Sequence, residues 1–104
     1  MDVTGQKQFE TEVLKSNVPV LVDFWATWCP PCKIYSPVIE EVAKENEKRL
    51  KLVKIDVDDN EDLASHYGVS SIPTTLIIEK GKVKASFVGA IPKDKLRAWL
   101  KENL

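Results

Sequence analysis

The stretch Val18-Pro19-Val20-Leu21-Val22-Asp23-Phe24-Trp25-Ala26-Thr27-Trp28-Cys29-Pro30-Pro31-Cys32-Lys33 changes character halfway along. Its first half is β-branched, aromatic and almost continuously apolar, the pattern of a strand covered on both faces. Pro19 forbids helix there. Its second half opens a helix at the prolines, where a missing N–H costs little and the fixed φ is already helical. The junction carries the only two cysteines of the chain, three residues apart. A Cys-x-x-Cys where a strand passes into a helix reads as a redox pair.

Working outward, Thr4 is expected to cap a first helix with Phe9, Val13 and Leu14 along one side, ended by Ser16-Asn17. Asp2-Val3 ahead of it is read as a short edge strand. Past the cysteines, Tyr35, Val38, Ile39, Val42 and Ala43 recur at helical spacing as far as Asn46, with Pro37 inside that helix. Leu50 to Val57 forms a second strand, broken by Asp58-Asp59-Asn60, which cap a short helix from Glu61 to Tyr67 closed by Gly68. After the loop Val69–Pro73, Thr74–Glu79 and Lys82–Val88 are joined by Lys80-Gly81 and read as an antiparallel hairpin. A last helix carries Leu96, Trp99 and Leu100 on one face. The order is that of an α/β protein, a mixed sheet with helices on both faces.

Length and charge narrow the function. The 104 residues suit one domain, residues 1–104, with a core large enough to need no staple. A net charge of −1 offers no electrostatic reason for nucleic acid or an anionic membrane as partner. No apolar stretch approaches the roughly 20 residues of a membrane helix. The first residues, Met1-Asp2-Val3-Thr4-Gly5-Gln6-Lys7, contain no apolar signal segment, so a reducing cytoplasm is the expected location.

Two duller readings compete for the cysteines. A disulfide closing so short a loop contributes only about 2 kcal/mol as a staple. Half of a zinc site would need two further soft ligands, and His66 is the only one elsewhere in the chain. The redox reading asks for one exposed, ionisable thiol and a second close enough to resolve a mixed disulfide. Cys29, ahead of the helix, faces its first-turn N–H groups and the positive end of its dipole, which favour thiolate. Cys32 lies within the first turn. Pro30 precedes a proline, which disfavours α geometry and allows the helix to begin at Pro31.

Asp23 is the odd residue of the central strand. It is either a solvent-facing carboxylate on an edge strand or a buried one whose raised pKa lets it accept a thiol proton near neutral pH. Lys54, on the neighbouring strand, is its candidate charge partner. Pro73, judged alone, is an ordinary trans loop proline, cis being a minority of roughly 5–6% at X-Pro bonds.

Phe24-Trp25-Ala26-Thr27-Trp28-Cys29-Pro30-Pro31-Cys32-Lys33 resembles the active-site signature of the thioredoxin family. The likeness continues through Asp23, Pro37, Asp58, Ile72-Pro73-Thr74 and Val88-Gly89-Ala90 to the closing helix. It implies a three-layer α/β/α fold with a central mixed five-stranded sheet and four helices. It also implies a cis Ile72-Pro73 bond facing the cysteines. Asp23 becomes the buried carboxylate serving Cys32, and Trp28, Ile72, Pro73, Gly89 and Ala90 become the apolar surface on which a substrate polypeptide lies. Trp25 and Trp99 are read as structural.

The activity implied is protein-disulfide reduction. Cys29 attacks, Cys32 resolves, and the redox centre is the dithiol itself, with no bound cofactor and no metal. The implied partners of this monomer are disulfide-containing target proteins and a flavin- and NADPH-dependent thioredoxin reductase. One departure is Pro30-Pro31 where the family typically has Gly-Pro. Together with Lys54, these prolines are the expected tuning residues, and Pro30 leaves the redox potential open. The rivals are a thiol-disulfide oxidase or isomerase, a partner-binding subunit whose redox chemistry is incidental, and a zinc-bridged dimer.

Overall fold

The computed structural model describes residues 1–104. Four strands, β1 (Val20–Trp25), β2 (Lys51–Asp56), β3 (Thr74–Glu79) and β4 (Lys82–Val88), form one sheet in the order β2-β1-β3-β4. β1 runs parallel to β2 and antiparallel to β3, and β3 pairs antiparallel with β4. The helices are α1 (Gln6–Phe9), continued by a π-helical turn over Glu10–Leu14, then α2 (Pro30–Glu45), α3 (Glu61–His66) and α4 (Lys93–Asn103). None is long and apolar enough to cross a membrane.

The expected fifth strand is reduced to one parallel bridge between Asp2 and Lys54. Lys54 N–H donates to Met1 O at 2.7 Å and Val3 N–H to Lys54 O at 3.0 Å, and there the ladder stops. Past Val3 the Thr4 N–H turns to Gln8 Oε1 at 2.9 Å, and Gly5 takes the chain into α1. The cap expected at Thr4 falls on Gly5, whose φ of 88° favours glycine. No side chain caps this helix; the Gly5 N–H is drawn instead to Asn60 Oδ1 at 2.8 Å. Asn60, 5% exposed, also donates to the carbonyls of Val3 and Asp56. It holds the N-cap position of α3 as expected, but its side chain ties the N-terminus to the end of β2 instead of bonding a first-turn amide.

The Lys80-Gly81 turn has φ of 53° and 79°. Two positive values in succession match the twist of a two-residue hairpin, and β4 pairs back on β3. α2 is continuous through Pro37, although the ring removes the amide that would bond to the Lys33 carbonyl.

Two apolar layers sandwich the sheet. On one side Val20, Val22 and Phe24 of β1 pack with Val53, Ile55, Leu76 and Ile78 beneath Phe9, Val13 and Leu63. On the other, Leu21 and Ile77 pack beneath Tyr35, Ile39 and Val42 of α2 and Leu96 and Leu100 of α4. The period of two along β1 puts Asp23 and Trp25 on this second side, at the end where α2 begins.

Candidate active site

Cys29 and Cys32 are joined as a disulfide at the N-terminus of α2, with their Cα atoms 5.3 Å apart. Cys29 is the N-cap, extended at φ −98°, and Pro30 and Pro31 are the first two helical residues. The helix therefore begins at Pro30, one residue earlier than Pro31. Neither proline has an N–H, so the first free amide of α2 belongs to Cys32. It donates to Cys29 Sγ at 3.2 Å. The attraction between a helix N-terminus and negative charge is thereby aimed at this one sulfur.

The redox reading asks for one exposed thiol, yet in the disulfide both cysteines are 3% exposed. Ala26, Trp25, Val57 and Ile72 pack around the pair. No cluster of three or more potential metal ligands forms. His66, in α3, packs edge-on against Tyr67.

The loop before β3 closes over the pair. The Ile72–Pro73 peptide is cis, and the Ile72 carbonyl oxygen lies 3.9 Å from Cys29 Sγ. Pro73 O accepts the Gly89 N–H at 2.8 Å, which holds the end of β4 beside this loop. Gly89 has φ 104°, a conformation suited to glycine, and Ala90 follows it, exposed. Trp28 is 64% exposed, yet its indole is held in place, Nε1 donating to Asp58 Oδ2 at 2.7 Å.

Asp23 is not at an edge. It sits between Lys54 of β2 and Thr75 of β3, 1% exposed, and its Oδ1 has no hydrogen-bond partner. Burial pushes its carboxyl up to about 7, against an opposing pull from Lys54 and a smaller push from Glu40. Such a group changes protonation near neutral pH. Lys54 makes no ion pair with Asp23; its ammonium donates to Ser36 Oγ, close to Glu40 and to the Trp25 ring.

Several residues around the site are not marked as functional by the sequence, Tyr35 reading there only as part of an apolar helix face. Tyr35, one turn after Cys32, is fully buried and its hydroxyl shares a 2.9 Å hydrogen bond with Thr75 Oγ1. Burial raises its pKa, so it stays neutral. Ile34 is 71% exposed on the first turns of α2. Ser36 and Glu40 are spaced i and i+4, a spacing that marks neighbours on a helix but does not say what they face.

A disulfide capping a helix, set at the same end of a mixed sheet as a buried carboxyl, belongs to the thiol–disulfide oxidoreductases. A family model described as Thioredoxin matches residues 1–102. Thioredoxin of Rickettsia bellii is 46% identical over 98 residues, covering 94% of this chain and 93% of its own. Thioredoxin of Pyropia yezoensis and thioredoxin 1 of Nostoc sp. are each 48% identical over 96 residues, covering 92% of this chain and 90% of theirs. The chain belongs to the thioredoxin family, and through its Cys-x-x-Cys motif it is a protein-disulfide reductase. Membership implies the family's usual redox partners.

Proposed function

We propose that Cys29 is the attacking thiolate and Cys32 the resolving thiol of one thioredoxin domain spanning residues 1–104, working as a monomer in the cytoplasm. The Cys29 thiolate attacks a sulfur of a substrate disulfide; a mixed disulfide forms and the other substrate sulfur leaves as a thiolate that takes up a proton. Cys32 then gives its proton to Asp23 and attacks Cys29 Sγ. The second substrate sulfur leaves reduced, and Cys29–Cys32 is left oxidised. The observation that carries this order is the Cys32 N–H directed at Cys29 Sγ, which favours negative charge on the first cysteine.

Trp28, Ile72, Pro73, Gly89 and Ala90 are the surface on which the substrate chain is laid, with the Cys29 sulfur in its midst. A flavin- and NADPH-dependent thioredoxin reductase returns two electrons to the pair. Pro30 and Pro31 tune the exchange by withholding amides from Cys29, and Lys54 by its charge near Asp23.

Equilibration with a glutathione redox buffer, joined to turnover by an NADPH-dependent thioredoxin reductase, separates a reductase from an oxidase. A potential below about −220 mV with efficient turnover is expected. A potential above about −180 mV without turnover identifies an oxidase or isomerase instead.

A further inference from the structure

Asp23 Oδ1 is buried without a donor, although the residue opposite it on β2 is a lysine. The Lys54 ammonium is engaged elsewhere. Nζ donates to Ser36 Oγ at 2.6 Å and lies 3.6 Å from Glu40 Oε2. Ser36 Oγ in turn donates its one proton to the same Glu40 oxygen at 2.7 Å. Every hydrogen in this chain points one way, from ammonium through hydroxyl to carboxylate, an arrangement in which each bond polarises the next. The Trp25 ring, 5.2 Å from Nζ, adds a cation–π contact. The Lys54 side chain is only 17% exposed, so water competes weakly for it.

We propose that Ser36 and Glu40 are positioning residues that hold the Lys54 ammonium off Asp23, leaving that carboxyl free to take up the proton released in disulfide exchange. The proposal rests on the reading of Asp23 as proton acceptor.

The groups around Asp23 leave little else to set its charge. β3 contributes Thr75, a hydroxyl bonded to Tyr35. α2 contributes Tyr35, neutral through the working range, Glu40, and Cys32 once reduced. β2 contributes Lys54. Glu40 is ionised, its pKa lowered chiefly by the Ser36 hydrogen bond. Losing either α2 residue acts in the same direction. Ser36→Ala releases the ammonium toward Asp23; Glu40→Gln does so too and also removes a like charge.

The carboxyl carbon of Asp23, followed by ¹³C NMR in the oxidised protein, tests this without interference from thiol titration. In Ser36→Ala and Glu40→Gln the midpoint should fall by about one pH unit, the effect of a cation brought within ion-pair range. In Lys54→Met it should rise, and adding Ser36→Ala to that variant should change nothing. An unmoved midpoint in Ser36→Ala overturns the proposal, and so does a Ser36→Ala effect that survives in Lys54→Met. The pH profile of mixed-disulfide resolution keeps the two ideas apart. A resolution profile that follows the NMR midpoint supports both. A midpoint that moves while resolution does not leaves the clamp standing and removes Asp23 from the proton transfer.

Discussion

Val20, Val22 and Phe24 enter one layer of the molecule, and Leu21, Asp23 and Trp25 enter the other. The first layer is mostly apolar, down to Phe9 and Phe24 packed on Tyr67, and none of its side chains on β1 ionises. The second begins the same way, with Leu21 under Ile39, Val42 and Leu96, and ends in groups that ionise or hydrogen-bond. Asp23, Lys54, Ser36, Glu40, Tyr35 and Thr75 all lie toward the end where the disulfide sits. One strand serves both layers because its side chains alternate. The neighbouring positions 23 and 24 thus hold a carboxyl that responds to pH and a ring that does not. Both faces of these six residues pack a core, and only one of them also carries the chemistry.

The sharpest way to break this division is at Asp23. Its carboxyl titrates at about 7 in the fold against an ordinary 3.8. It therefore costs nothing below the lower value, and stability is lost progressively as pH rises from the lower value to the higher one, where the loss is complete. Asp23→Asn should match the parent in urea at acidic pH and exceed it well above neutrality by on the order of 4 kcal/mol. The same variant should slow mixed-disulfide resolution about 100-fold near neutral pH, the usual yield of a positioned base. Equal stability at all pH values would mean that Asp23 is not buried as described.

The opposite face should respond in the opposite way. Phe24→Ala removes a fully buried ring and should cost about 3–5 kcal/mol. That loss should be the same at acid and alkaline pH, and the Asp23 midpoint should stay where it is. A pH-dependent penalty would show that the two layers are coupled through β1.

A smaller effect is expected at the rim. Asp58→Ala frees the Trp28 indole, an exposed hydrogen bond of about 1 kcal/mol. Insulin reduction should show KM raised about fivefold and kcat unchanged. An unchanged KM would mean that the orientation of Trp28 does not matter to substrate.

Much of this arrangement was legible in the residues. The apolar run of β1, the turn at Lys80-Gly81 and the proline start of α2 each announce themselves through local backbone chemistry. Asp23 stood out because a carboxylate in such a strand needs a reason. What stayed hidden depends on packing between distant segments. The cis Ile72–Pro73 bond runs against the local preference and was reached only through family resemblance. The pairing of Ser36 and Glu40 with Lys54 requires α2 to lie over β2. Asn60 is legible as the start of α3, but nothing local reveals the N-terminal carbonyl and amide that its side chain serves. The fifth strand was overcounted for a related reason, since pairing ends where Gly5 turns the chain away.

All of the chemistry assigned to the second layer depends on the order in which the two cysteines act. Cys32→Ser mixed with a disulfide-bonded protein, quenched in acid and mapped by mass spectrometry, tests that order directly. The account predicts a stable mixed disulfide attached through Cys29. Failure of any such complex to accumulate, while Cys29→Ser does trap substrate through Cys32, would contradict it.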